Sequence, residues 1–364
     1  MNTYTQDAVS LLQKLISTPS VSRDESSAAD IMQQTISDYG LSPQRIGNNV
    51  WVRSTDWIAG RPVILLNAHI DTVKPVATWT RDPFSPDIVG DQLFGLGSND
   101  CGGGLVSLLQ VFRQLDKQER NYNMVYLASC EEEVSGAEGI RSVLPVLFPA
   151  FYGGDADSSP LGPVTEDLIA IVGEPTGMQP AIAERGLMVI DGTAHGKSGH
   201  AARNEGVNAI YEALDDLLFI REYQFEKQSE LLGPTKMQCT VVNSGTQHNV
   251  VPDECKFIID VRTNEHYTNE DVFAFLQSRL KSDIKARSFH LHSSSISREH
   301  PLIQKCLAMG MQPFGSPTLS DQALMRFPSF KLGPGQSSRS HSADEYICLS
   351  EIDDAISKYM QLLG

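Results

Sequence analysis

The chain has 364 residues, a length that accommodates about two domains of roughly 150 residues each. Apolar residues make up 41% of the sequence and charged residues 20%, a balance that excludes a disordered or fibrous chain. Acidic residues number 45 and basic residues 29, so the net charge of −16 would repel a nucleic-acid backbone, and we expect no nucleic-acid partner.

Apolar runs are short. The longest, such as Val63–Leu66, fall far below the ~20 residues that span a bilayer. The amino-terminal segment lacks the charged-then-apolar pattern of a signal peptide. The six cysteines form no CxxC pair, and we interpret them as reduced thiols. These patterns predict a cytoplasmic protein with no membrane partner.

The first part of the chain alternates between helix and strand patterns. Apolar residues at helical spacing predict one helix over residues 9–16 and another over residues 28–36. The elements predicted after them are a strand, a helix and two strands: Pro62–Ala68, Leu105–Leu115, Met124–Ala128 and Leu168–Val172. Buried strands separated by helices predict an α/β sheet covered on both faces.

The middle of the chain has a different order of elements. The predicted order β-α-β-β-α-β is that of a ferredoxin-like unit. Its elements are Ile182–Thr193, Val207–Ile220, Met237–Val242, Phe257–Val261, Asp271–Leu280 and Arg287–His292. We therefore predict an α/β domain with a mixed sheet over residues 1–177 and 294–364, interrupted by an inserted α+β domain over residues 178–293.

Residue types that bind metals occur just after predicted strands. His69 and Asp71 are two residues apart, so in a strand both side chains point to one side, where the carboxylate would orient the imidazole. By itself the pair is equally well explained as a surface histidine beside an aspartate. Asp100 lies in a glycine-rich turn without the GxGxxG or GxxxxGK spacing of a phosphate loop. Taken alone, Asp100 is best explained as a helix cap, and a carboxylate shared by two cations is the alternative.

Further carboxylates follow other predicted strands. Glu131–Glu133 stand at a sheet edge where α/β proteins bind ligands, and like charges crowded there need a cation or a raised pKa. Glu174 lies in Gly-Glu-Pro-Thr, and His341 lies in a late polar loop. With His69 and Asp100, this set fits two zinc ions that share an aspartate and have nitrogen and oxygen ligands.

These motifs resemble those of the M20 zinc metallopeptidases and deacylases, which include acetylornithine deacetylase and succinyl-diaminopimelate desuccinylase. The resemblance runs from Ala68-His69-Ile70-Asp71-Thr72-Val73 to Ser340-His341-Ser342-Ala343-Asp344-Glu345, nearly the whole chain. It implies a zinc-peptidase-like catalytic domain and identifies the inserted domain as a lid and dimerisation domain. It also implies two Zn²⁺ ions, with Co²⁺ or Mn²⁺ as substitutes, and a homodimer.

The resemblance assigns the metal ligands motif by motif. His69 and Glu174 would bind one zinc ion, Glu133 and His341 would bind the other, and Asp100 would bridge the two. The chain departs from the family pattern at Cys101-Gly102, where the family usually has a longer residue and a lysine, and at Glu131, where it usually has aspartate. Neither departure removes a ligand.

Other roles also come from the resemblance. Asp71 would orient His69, and Glu132 would be the general base and acid. If the triplet register slips by one, Glu131 becomes the base and Glu132 the ligand. His200, in Gly-Lys-Ser-Gly-His, would cross a dimer to polarise the scissile carbonyl. Asn249 and Arg262 would contact the substrate, and Arg262 suits a bidentate bond to a carboxylate.

The predicted reaction is metal-dependent hydrolysis of the N-acyl amide of an amino acid, a small molecule. The sequence around Glu174 and the run Gly206-Val207-Asn208-Ala209-Ile210 resemble the acetylornithine deacetylase branch, which indicates N-acetylornithine and arginine biosynthesis. Lys197, Arg185 and Arg203 lie near His200 in the sequence, and a cation there would suit a succinyl group, so N-succinylornithine is an alternative substrate. N-acylcitrulline is another. The alternatives are a dipeptidase or carboxypeptidase, succinyl-diaminopimelate desuccinylase, and an inactive binding protein of M20 shape.

Overall fold

The computed structural model of the chain describes residues 2–203 and 205–364. These residues contain eight α-helices, α1 to α8: Thr3–Ile16, Ser26–Asp38, Gly103–Leu115, Ile140–Leu147, Ala209–Glu222, Asn269–Arg279, Pro301–Ala308 and Leu349–Leu363. They also contain twenty strands, β1 to β20: Gln44–Ile46, Asn49–Arg53, Val63–His69, Ile88–Val89, Gln92–Phe94, Asn123–Ser129, Leu168–Val172, Ala181–Glu184, Met188–His195, Gly199–His200, Gln228–Ser229, Gly233–Pro234, Lys236–Ser244, Val250–Val251, Glu254–Arg262, Asp283–Ala286, Ser294–Ser295, Phe314–Ser316, Ser329–Lys331 and Tyr346–Cys348. No described helix combines the length and the hydrophobicity that crossing a membrane requires.

The chain folds into two compact units. Unit 1 contains the described residues up to Ile182, together with Ile296–Phe314 and Ser320–Gly364. Unit 2 contains Ala183–Ser295 and the short segment Gly315–Leu319. The role of unit 2 as a lid and dimerisation domain stays a prediction.

Unit 1 is built on a mixed sheet with the strand order β1-β2-β6-β3-β7-β19-β8. Strand β3 lies between β6 and β7 and pairs in parallel with both, whereas β2 and β8 pair antiparallel with their neighbours. Alternate side chains of β3 enter different cores: Ile64 and Leu66 pack with α1, α2, α3 and α8, while Val63 and Leu65 pack with α4. Both faces are therefore buried, which confirms the predicted α/β sheet covered on two sides.

Unit 2 contains a four-stranded antiparallel sheet with the order β13-β15-β9-β16. Its chain order is β9, α5, β13, β15, α6 and β16, the β-α-β-β-α-β order predicted from the sequence. Helices α5 and α6 pack on the sheet through a core that includes Ile190, Ala213, Phe257, Val272 and Leu276. Helix α6 begins at a capping box in which Thr268 and Asp271 bond to each other's backbone N–H groups.

Two predicted strands of this unit were wrong. The single strand Ile182–Thr193 is in fact β8 and β9, separated by residues 185–187. The strand breaks because its pairing partners change: β8 pairs with β17 and β19, whereas β9 pairs with β15 and β16, and a continuous apolar pattern does not reveal such a change of partner. The strand predicted at Arg287–His292 lies earlier, at Asp283–Ala286, because its antiparallel partner β9 starts at Met188 and leaves later residues almost nothing to pair with.

Candidate active site

The candidate site lies at the carboxyl ends of three adjacent parallel strands in unit 1. Strand β3 ends at His69, β6 is followed by the triplet Glu131–Glu133, and β7 is followed by Glu174. Because β6, β3 and β7 are neighbours with a common direction, these residues meet at one edge of the sheet. The loops that carry Asp100 and His341 reach the same edge.

One group of candidate ligands surrounds His69. Its imidazole side chain is only 1% exposed, and Nε2 lies 3.3 Å from Asp100 Oδ1 and 3.8 Å from Glu174 Oε1. Two residues after His69, the backbone oxygen of Asp71 lies 2.9 Å from His69 Nδ1. The imidazole is thereby held with Nε2 directed at the two carboxylates.

A second group surrounds His341. Its Nε2 lies 2.9 and 3.1 Å from the two carboxylate oxygens of Glu133 and 3.7 Å from Asp100 Oδ2. Asp100 therefore presents Oδ1 to His69 and Oδ2 to His341, an arrangement in which one carboxylate can serve two cations. His341 remains about half exposed, so this side of the site is open to solvent.

The three glutamates of the triplet have different surroundings. Glu132 Oε2 lies 4.0 Å from His69 Nε2, and Glu133 contacts His341. Glu131 has a positive φ of 54°, and its carboxylate accepts a hydrogen bond from the Glu138 N–H (3.3 Å). Glu132 and Glu133 therefore lie beside the two candidate histidines, and which of them is base and which is ligand stays a prediction.

Asp71 connects these groups. Its carboxylate accepts hydrogen bonds from the Glu132 N–H (3.0 Å), the Glu133 N–H (3.2 Å) and the Ser22 hydroxyl (2.7 Å). Its Oδ1 lies 3.6 Å from His69 Nδ1, farther than its own backbone oxygen. Asp71 thus fixes the triplet as well as the imidazole, which is more than the sequence predicts for it.

The electrostatics of the site favour bound cations. Burial raises the pKa of Glu174 to about 8, with a further increase from the nearby Asp100, and burial also raises the pKa of Glu132 well above its usual range. Hydrogen bonding to Glu133 raises the pKa of His341 to about 9. Glu174 Oε1 is buried and accepts no hydrogen bond. Crowded carboxylates with an unpaired buried oxygen fit a metal site with nitrogen and oxygen donors.

The predicted substrate residues lie in unit 2. The strands carrying His200 and Val250 pair with each other, and the Ala201 N–H donates to the Asn249 carbonyl (3.1 Å), so His200 and Asn249 are close neighbours. Arg262 donates to both carboxylate oxygens of Asp260 (2.8 and 3.0 Å), so it already has a partner that a substrate carboxylate would replace.

Arg185 is also occupied within unit 2. It is buried, and its guanidinium donates to the backbone carbonyls of Leu232 and Pro234. This pairing leaves Arg185 poorly suited to recognise a succinyl carboxylate. Lys197 and Arg203 remain the candidates for binding a succinyl carboxylate.

Three residues near the site have roles that sequence reasoning did not assign. Glu345 accepts hydrogen bonds from the loop that carries Asp100. The only clue to this role in the sequence is that Glu345 follows His341 by four residues. Asp321, which has no sequence signal, accepts a hydrogen bond from Ser129 at the end of β6, and burial raises its pKa to about 6. Cys101 is buried, and its sulfur accepts a hydrogen bond from the His69 N–H (3.2 Å).

The site thus brings together carboxylates and imidazoles in groups that could hold metal ions, at the carboxyl edge of an α/β sheet. The profile of peptidase family M20/M25/M40 matches residues 65–364, and the chain belongs to this family of metal-dependent hydrolases. The expected M20 resemblance is thereby confirmed.

The chain is similar to several named relatives and solved structures. It is 25% identical to acetylornithine deacetylase of Proteus mirabilis over 97% of this chain and 95% of that protein. It is 25% identical to succinyl-diaminopimelate desuccinylase 2 of a Ruegeria species, over 82% of this chain and 75% of that protein. The Bacillus subtilis YXEP protein, described as a dinuclear metal-binding M20 peptidase, has the same fold, with a TM-score of 0.69 and 16% identity over 99% of this chain and 97% of that one.

Proposed function

We propose that this protein is a dinuclear-metal amidohydrolase that removes the acyl group from an N-acyl amino acid, with N-acetylornithine as the preferred substrate. The observation that carries the proposal is the position of Asp100, with one oxygen towards His69 and the other towards His341, beside the mostly buried carboxylate of Glu132. The similarity to acetylornithine deacetylases supports the choice of substrate.

The residues that would hold the metal pair are those predicted from the motifs. His69, Asp100 and Glu174 would bind one ion, and Asp100, Glu133 and His341 would bind the other. Imidazole and carboxylate donors suit Zn²⁺, and the same donors also accept Co²⁺ or Mn²⁺. When bound, the pair supplies Lewis acidity that polarises the amide carbonyl and lowers the pKa of water.

Glu132 would carry the proton through the reaction. Its carboxylate is mostly buried, and burial raises its pKa, so it can take a proton from the attacking water and release it to the departing amine. Asp71 would keep Glu132 in place, since its carboxylate holds the Glu132 N–H. His200, supplied by the partner subunit, would donate a hydrogen bond to the oxyanion that develops on the substrate.

A homodimer is part of the proposal, and unit 2 carries a face suited to it. Helix α5 exposes apolar side chains at helical spacing: Ile210, Tyr211, Leu214 and Leu218. The helix packs beside β13, an edge strand that also exposes Val241 and Val242. An exposed apolar stripe beside an unpaired strand edge is the kind of surface that a second copy of the chain covers.

The protein is proposed to act in the cytoplasm, and its reaction is proposed to be a step in arginine biosynthesis. The test is amine release by the zinc-loaded protein from N-acetylornithine, N-succinylornithine, N-acetylcitrulline and a simple dipeptide, compared by kcat/KM. A preference of a hundredfold or more for an acylated ornithine or citrulline supports the deacylase and names its acyl group. A preference for the dipeptide contradicts the proposed substrate class. If the metal-loaded protein turns over none of the four compounds, the proposed reaction is contradicted.

A further inference from the structure

The carboxylate of Glu345 is bonded to the loop that carries Asp100. Glu345 is only 2% exposed, and its oxygens accept hydrogen bonds from the backbone N–H groups of Gly97 (3.0 Å), Asn99 (2.8 Å) and Asp100 (2.9 Å). None of the metal or catalytic roles above uses this residue. Burying a carboxylate is costly unless its oxygens are hydrogen-bonded, and the three backbone donors offset that cost.

The bonded loop has little structure of its own. Gly95 and Gly97 have positive φ angles of 146° and 74°, and residues 98–102 form an irregular turn before α3. Backbone N–H groups in such a turn lack partners from a regular helix or strand, so they need another acceptor. Glu345 supplies it, and hydrogen bonds to a charged acceptor are stronger than neutral ones.

Further hydrogen bonds join the two loops that carry Asp100 and His341. The Gly95 N–H donates to the Glu345 backbone carbonyl (3.0 Å). On the other side of His341, the Asn99 side chain accepts from the Gln336 N–H (2.9 Å) and donates to its carbonyl (3.1 Å). The Asp100 loop is therefore attached to the His341 segment both before and after the histidine.

We infer that Glu345 is a positioning residue that fixes the Asp100 carboxylate between His69 and His341 and so sets the affinity of the site for its metal ions. Donors of a metal site must be held to within about half an ångström, and Asp100 lies on a loop that cannot provide this precision alone. The inference rests on the proposed function, because it assumes that Asp100 bridges two ions.

The variant E345Q tests the inference. Glutamine keeps the size of the side chain but turns one acceptor oxygen into an NH₂ donor that faces a backbone N–H. The matched control is D344N. The adjacent Asp344 also accepts hydrogen bonds from backbone N–H groups, those of Thr80 and Arg81 (both 3.0 Å). The segment around Thr80 and Arg81 carries no candidate metal ligand.

The measurement is the binding of Zn²⁺ and of Mn²⁺ to each metal-free protein, by competition with a chelator and by calorimetry, together with the melting temperature of the metal-free forms. We expect the Kd of at least one ion to rise tenfold or more in E345Q and to stay within twofold of the wild type in D344N. E345Q binding within twofold of the wild type overturns the inference, as does an equal loss in both variants, which would indicate a general stability effect.

Failure of the proposed function gives a different result. A wild type that binds neither ion contradicts the metal site itself and the inference with it, whereas a wild type that binds two ions and turns over substrate, with E345Q unchanged, contradicts only the inference. If E345Q does not fold, hydrogen exchange of the wild-type metal-free protein decides. Slow exchange at residues 97, 99 and 100 supports the role of Glu345, and fast exchange there overturns it.

Discussion

Substitution of Glu132 by glutamine separates the chemistry of the site from its metal binding. Glu132 Oε2 lies 4.0 Å from His69 Nε2, and its side chain is 13% exposed. Glutamine has the same shape but cannot carry the proton. Because a positioned general base contributes roughly 10²–10⁴ in rate, we expect E132Q to lose at least that factor in kcat, about 3–5 kcal/mol of transition-state stabilisation.

The neighbouring glutamates are matched controls, since all three changes remove one charge from one triplet. Both oxygens of Glu133 lie close to His341 Nε2, at 2.9 and 3.1 Å, as expected for two ligands of one ion, and glutamine replaces the anionic oxygen donor by a neutral amide. We therefore expect E133Q to bind at least one metal ion tenfold or more weakly. Glu131 bonds to the Glu138 N–H instead, so E131Q is expected to keep kcat within threefold.

The assay combines steady-state amine release by the metal-loaded proteins with the metal content of each variant after gel filtration. E132Q should retain two ions per chain and a nearly unchanged KM while kcat falls. A kcat above one tenth of the wild-type value would refute Glu132 as the base. A large loss in E131Q with full metal content would show that the register is slipped by one.

Two further predictions concern stability and assembly. Zn²⁺ at one hundred times its Kd stabilises the folded state by about 2.7 kcal/mol. The unfolding entropy is about 2.1 cal/mol/K for each of the 364 residues. Adding Zn²⁺ to the chelator-treated protein should therefore raise its melting temperature by about 4 °C in a thermal scan. No increase would contradict the metal site. In light scattering, L214E should reduce the measured mass from twice the 40.0 kDa chain to one copy, while I58E, at an exposed isoleucine of unit 1, should not. A wild type that is already monomeric, or an L214E variant that remains dimeric, would contradict the α5 interface.

The positions of the candidate ligands were predictable because they follow strands. His69, the glutamate triplet and Glu174 each come just after an apolar run, and the ends of parallel strands meet at one sheet edge. The boundaries of β9 and β16 were predicted poorly, because strand ends depend on the length of the partner strand, which the local pattern does not contain.

The sequence by itself determined the α/β class, the β-α-β-β-α-β order of unit 2 and the residue types gathered at the site, since these follow from local periodicity and from motifs a few residues long. Only the tertiary structure decided which oxygen of Asp100 faces which histidine, that the Glu131 carboxylate bonds to the Glu138 N–H, and that Glu345 bonds to the Asp100 loop. Glu345 and Asp100 are 245 residues apart in the chain. Contacts of this kind arise from how the two loops pack at the sheet edge, and no spacing within either loop encodes them.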